Sequence, residues 1–199
     1  MEISESILTF WFGTQPDDGL VARQQAKLWW SKNPESDQEI RNRYELLVEQ
    51  AGRGELDEWA IRPRSLLALI LLTDQFPRNI FRNAPKAFQF DPIARRLCLA
   101  GLEQGLDLLL RPIERVFFYL PLEHAESLSL QDRSVELYIS LCRQVPPTQL
   151  DVFNGYLDYA LRHRHVIERF GRFPHRNSIL NRQSTVEERQ FLAEPGSSF

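Results

Sequence analysis

The chain has 199 residues, 43% of them hydrophobic and 26% charged, with a net charge of −3. That balance excludes a mostly disordered chain, and the global charge disfavours nucleic acid and anionic membrane as partners. The longest apolar run, Leu66 to Leu72, is too short to span a bilayer, and Cys98 and Cys142 form neither a disulfide framework nor a zinc spacing.

The start, Met1 to Glu5, is acidic and lacks the basic region of a secretory signal. The expectation is a cytoplasmic protein, monomeric or weakly oligomeric, with one domain over residues 1–199. Of the basic residues, 21 are arginines and three are lysines (Lys27, Lys32 and Lys86). Arginine suits buried ion pairs and bidentate contacts to carboxylate or phosphate.

Apolar residues recur at helical spacing almost throughout, with no hairpin signal. A first helix is predicted from Ser4 to Phe12, stopped by Gly13, and a weaker one from Leu20 to Trp30. The next starts near Pro34 and ends at Gly52 and Gly54. Pro63 opens a strongly apolar helix that should end near Phe76, because Pro77 follows. Asp91 is expected to cap the next helix, with Pro92 in its first position and Gly105 closing it. Pro112 opens a helix that Pro121 should end. Two long helices follow, from Leu130 to Val145 and from Gln149 to Phe170, the second capped by Gly171. A tail helix starts at Ser184, whose spacing to Glu187 fits a capping box. Residues 194–199 should not be helical.

Connections are short and no flexible linker divides the chain. Antiparallel helix hairpins joined this way give a bundle or a stack of hairpins, and no clean 34-residue repeat occurs. Three helices run into proline-bearing corners: Asp74-Gln75-Phe76-Pro77-Arg78-Asn79, Tyr119-Leu120-Pro121-Leu122-Glu123-His124, and Phe170-Gly171-Arg172-Phe173-Pro174-His175-Arg176-Asn177. Counted from Pro34, they follow the second, fourth and sixth helices. Up-down alternation should therefore gather all three at one pole, unless a short helix around 83–88 disturbs it.

Helix C-termini carry partial negative charge and favour arginine and imidazolium nearby. Asp74 continues the stripe of Leu67, Ile70 and Leu71, so it should face the interior and need a cation. Arg78, Arg172 and Arg176 are the candidates. His163 lies on the apolar stripe of its helix, as a core histidine does. Glu123 and His124 suggest acid/base chemistry, but neighbours in a turn do not aim at one atom. His163 and His165 fall on different helix faces, and no metal-binding pattern occurs, so neither a metal nor a cofactor is expected. Residues 162–182 hold six arginines against one acid, Glu168, while the rest of the chain carries −8, so this stretch should pair internally or hold a small anion. The four tryptophans (Trp11, Trp29, Trp30 and Trp59) read as core and corner packing.

At these corners the chain resembles a bacterial family known as domain of unknown function 924. The resemblance runs nearly end to end, through Leu8-Thr9-Phe10-Trp11-Phe12-Gly13, Leu71 to Arg82, Glu114 to His124, Arg169 to Asn177 and Phe191 to Ser197. It departs locally at Leu122, Ala125 and Asn181. The resemblance implies an all-α, tetratricopeptide-like fold, with hairpins stacked as a right-handed superhelix or bundle, and it implies no activity.

Three readings of function follow. In the first, Arg78, Asn79, Arg172, Arg176 and Asn177, with the histidines, line a pocket for an anionic small molecule or a peptide carboxylate. In the second, the protein is an enzyme of hydrolase type. Asp74 or Glu123 acts as base there, and His124, His163 or His175 as acid. In the third, the corners merely tie down helix ends, and a concave helical surface binds a protein.

Overall fold

The computed structural model describes residues 2–197, and among these it is all helical, with no strand. The α-helices are α1 (Ile3–Phe12), α2 (Asp18–Trp30), α3 (Pro34–Gly52), α4 (Pro63–Thr73), α5 (Gln75–Ile80), α6 (Asp91–Glu103), α7 (Pro112–Glu123), α8 (Leu128–Cys142), α9 (Leu150–Phe170) and α10 (Val186–Leu192). Short 3-10 turns separate several of them, including Pro85–Phe88 and Pro174–Arg176. None of the helices is long and apolar enough to cross a membrane. Residues 194–197 are not helical, while Met1, Ser198 and Phe199 lie outside the described residues.

Local chemistry explains most boundaries. The Asp17 carboxylate accepts from the Leu20 N–H at 2.7 Å and starts α2, and Asn33 does the same for α3. Gly171 takes the left-handed conformation, φ 67°, and its N–H closes α9 on the Ile167 carbonyl.

The prolines depart from expectation. α4 ends at Thr73, before Phe76, and Pro77 lies in the first turn of α5, where its missing N–H costs nothing. Pro121 lies inside α7, which runs on to Glu123. It occupies the last turn, so the helix loses one bond there and recovers with His124 N–H to Leu120 O at 2.8 Å. Asp91 is the first residue of α6 and caps nothing, because its carboxylate is drawn to Arg78. The tail capping box is Thr185 with Glu188, one residue beyond Ser184 and Glu187.

The buried apolar cluster extends from Ile7 in α1 to Ala160 in α9. Trp11 is fully buried within it, with Phe76 and Phe117 rings 5.3 and 5.6 Å away. α4, which holds the apolar run Leu66 to Leu72, touches α1, α3, α5, α6 and α7 and is the hub of the core. At Gly101 a Cβ would come within 2.6 Å of both Leu66 and Phe118, so glycine sets how closely α6 approaches α4 and α7. A second cluster, Val166, Ile167 and Phe173, seats the segment after α9.

Candidate functional site

The three corners meet around a cavity of about 680 Å³. The first contributes Gln75, Arg78 and Asn79, the second His124, and the third His175 and Arg176, while α9 adds His163. The end of α2 adds Trp29, Trp30, Ser31 and Lys32, and the turn before α6 adds Phe88. Among the described residues no carboxylate lines the cavity; the acids stand behind the cations.

Asp74 is fully buried where α4 passes into α5. Its oxygens lie 2.9 and 3.1 Å from His124 Nδ1, Gln75 donates to it at 2.6 Å, and Arg78 lies at 3.4 Å. Burial works to raise its pKa. The Arg78 charge, His124 and the Gln75 amide outweigh that and hold the carboxyl below the usual carboxylate range. Burial, joined by the Arg78 charge, keeps His124 below the usual imidazole range against the pull of Asp74. At neutral pH the pair is thus a carboxylate accepting from a neutral imidazole, whose proton sits on Nδ1.

Glu123, next in sequence to His124, goes elsewhere. Its Oε1 lies 3.1 Å from His163 Nδ1, which is also 2.8 Å from the Tyr159 carbonyl. Both neighbours are oxygens, so Nδ1 carries the proton. Burial raises Glu123 to about 8, against the Tyr138 hydroxyl. His163 falls to about 3 through burial and the charges around it. This pair is uncharged at neutral pH.

Two arginines share Asp91 on unequal terms. Arg78 donates to both Asp91 oxygens at 2.9 and 3.0 Å, and to the Asp74 carbonyl at 2.5 Å. Arg176 approaches Asp91 no closer than 3.6 Å and makes no hydrogen bond among the described residues. Its Nε is buried, and its guanidinium lies 4.5 Å from the Phe173 ring and 4.8 Å from that of Phe88. Burial, with the Arg78 charge, lowers its pKa to about 10, so it remains a cation. Burial and the Arg176 charge lower His175 to about 3.

Two of the predicted residues, Arg172 and Asn177, turn away. Arg172 binds Glu188 through 2.6 and 2.9 Å contacts, and Asn177 donates to Ser184 and Glu188, so both fasten α10 rather than line the cavity. Asn79 lines the cavity while donating to Asp37 at 2.8 Å. Glu126 ties the third corner to α8, accepting from the Phe173 N–H and from Arg182. No group of three or more His, Cys, Asp or Glu among the described residues is arranged to hold a metal.

Residues 7–196 match the model of a family described as bacterial protein of unknown function, DUF924. The chain belongs to that family. Its fold is similar to the structure of a protein of unknown function from Agrobacterium tumefaciens, with a TM-score of 0.80 and 37% identity over 96% of this chain and 97% of that one. None of the curated proteins matches it. The DUF924 resemblance read from the corner motifs is thereby established.

The corner motifs do not name three residues of the site: Asp91 behind the cavity, and Phe88 and Trp30 in its lining. Asp91 sits where a cap belongs, which hides its role as counter-ion. Phe88 falls in an irregular stretch with no periodicity. Trp30 had a signal: successive helical residues point about 100° apart, so Trp29 and Trp30 cannot both face the core.

Proposed function

We propose that this protein binds an anionic small molecule in the corner cavity, with Arg176 as the anchoring cation. The observation that carries this is the Arg176 guanidinium, desolvated and without a hydrogen bond among the described residues. A buried charge lacking donors' partners is costly, and an anion accepting from Nε and Nη would relieve that cost. The His124, His163 and His175 rings suit the same role, since their uncharged forms offer hydrogen bonds without repelling one another. The free Cys98 and Cys142 fit a reducing cytoplasm, and α7, α8 and α9 packing in succession fits a tetratricopeptide-like arrangement.

Isothermal titration with inorganic phosphate tests the reading. Wild-type protein should bind, Arg176→Gln should weaken binding by about tenfold or more, and Arg172→Gln should leave it within about twofold. Equal losses in both variants, or no binding to the folded wild type, would refute it.

A second reading, acid/base catalysis, rests on Asp74 and His124. A buried carboxylate holding Nδ1 leaves Nε2 as the basic edge of a ring that lines the cavity. Arg176 would then stabilise negative charge developing on a bound ester or phosphoester.

A further inference from the structure

The shape of the cavity narrows the ligand further. Trp30 closes α2 and is 51% exposed, an unusual state for an indole that lines a cavity. Its ring lies 5.6 Å from that of Phe117 and within 13° of parallel, and Phe117 is itself fully buried. Tyr156 packs on the same indole with ring centroids 6.1 Å apart at 49°, so Phe117 and Tyr156 hold the ring while half of its surface stays open. Trp29 stands nearly upright beside it, with ring centroids 6.0 Å apart at 74°, and holds the platform from the side. The indole is thus held in place by three aromatic neighbours, and its open half lines the cavity.

That platform shares its cavity with Arg176, a cation seated between aromatic rings and lacking hydrogen bonds among the described residues. A bare phosphate or a short carboxylate would occupy a small part of about 680 Å³ and leave the indole face wet. Cavities of this size, roughly 300–1,000 Å³, take ligands with an apolar body and a few polar groups. Lys32, two residues beyond Trp30 and without an ion pair among the described residues, adds a cation at the same rim.

We propose that the ligand is a planar aromatic molecule carrying an anionic group, its ring stacked on Trp30 and its anion held by Arg176. This rests on the anion-binding reading and specifies its ligand class. Aryl phosphates, aromatic carboxylates and nucleotides all belong to that class. Stacking on an indole face tolerates many ring systems, while the guanidinium demands the charge.

The test compares inorganic phosphate with phenyl phosphate by isothermal titration, with phenol as the neutral control. Phenyl phosphate should bind the wild type at least about fivefold tighter than phosphate, and phenol should bind at least about tenfold more weakly than phenyl phosphate. Trp30→Leu should erase the advantage of phenyl phosphate and leave phosphate binding intact, while Trp30→Phe should retain most of it. Circular dichroism of both variants establishes that they fold, and quenching of tryptophan fluorescence by phenyl phosphate in the wild type reads the stack without any substitution. Phosphate and phenyl phosphate binding equally, or an advantage that survives Trp30→Leu, overturns this proposal and spares the anion site. Failure of both anions to bind overturns the anion site and this proposal together.

Discussion

The corner after α4 and the corner after α9 are built from similar words, Phe76-Pro77-Arg78-Asn79 and Phe173-Pro174-His175-Arg176-Asn177, yet their arginines live differently. Arg78 sits on one turn of α5 opposite two carboxylates and spends its donors on Asp91 and the Asp74 carbonyl. Arg176 sits on a 3-10 turn seated by Phe173, and meets Asp91 as an ion pair at 3.6 Å without a hydrogen bond. The neighbouring Arg172 and Asn177 take up Glu188, so the tail fastens the wall without neutralising it. Arg78 is hydrogen-bonded into the fold, whereas Arg176 is buried without a hydrogen bond among the described residues. Buried charge is informative in this way: a saturated ion pair reports on structure, and an unsaturated one on a ligand.

Removing each arginine is the sharpest way to break the comparison. Arg78→Met strands the buried Asp74 carboxylate and the half-buried Asp91, and urea unfolding should show a loss of about 3–5 kcal/mol. Arg176→Met removes a desolvated charge with little to lose, so its stability should stay within about 1 kcal/mol of wild type or rise. Equal losses would mean that the two corners are the same kind of lock.

The pH dependence of stability sharpens it next. His163 titrates near 3 in the folded protein and near 6.5 when unfolded, so the unfolded state binds the extra proton between those values. Stability should therefore fall as pH drops below about 6.5, by about 1.4 kcal/mol per pH unit for this group, and His163→Gln should flatten that limb. His175 adds to the same limb, being lowered in the same direction. Glu123 acts with the opposite sign. Its folded pKa of about 8 lies above the unfolded value of 4.5, so its contribution is complete below 4.5 and is lost as pH rises to 8. Glu123→Gln should remove that loss between pH 4.5 and 8, most visibly above 6.5, where the histidine limb no longer opposes it. Asp74, depressed in the fold, contributes stability above its unfolded pKa that is lost in stronger acid.

Much of this was legible in the residues. Helical spacing and glycine or proline punctuation place the long helices within a few residues, and alternation brings the corners together as expected. Asp74 faces inward because it continues the stripe of Leu67, Ile70 and Leu71, and Glu123 and His124 part company as neighbours in a turn must. What the residues could not carry was partner choice. Arg172 and Arg176 are four apart on a segment that is not an α-helix, so no periodicity says which of them turns to α10. Asp91 reads equally well as a cap or a counter-ion until Arg78 is placed opposite it. Pro77 and Pro121 read as stops because a proline is tolerated in a first or last turn, and the sequence does not reveal which turn it occupies.

Arg176 makes no hydrogen bonds among the described residues, and in the proposed function an anion supplies them. A crystal of the protein soaked in selenate measures this directly, because anomalous scattering locates selenium. The account predicts a selenium peak in the corner cavity with an oxygen accepting from Arg176 Nε. Selenate bound elsewhere with Nε already bonded to a protein acceptor would contradict it.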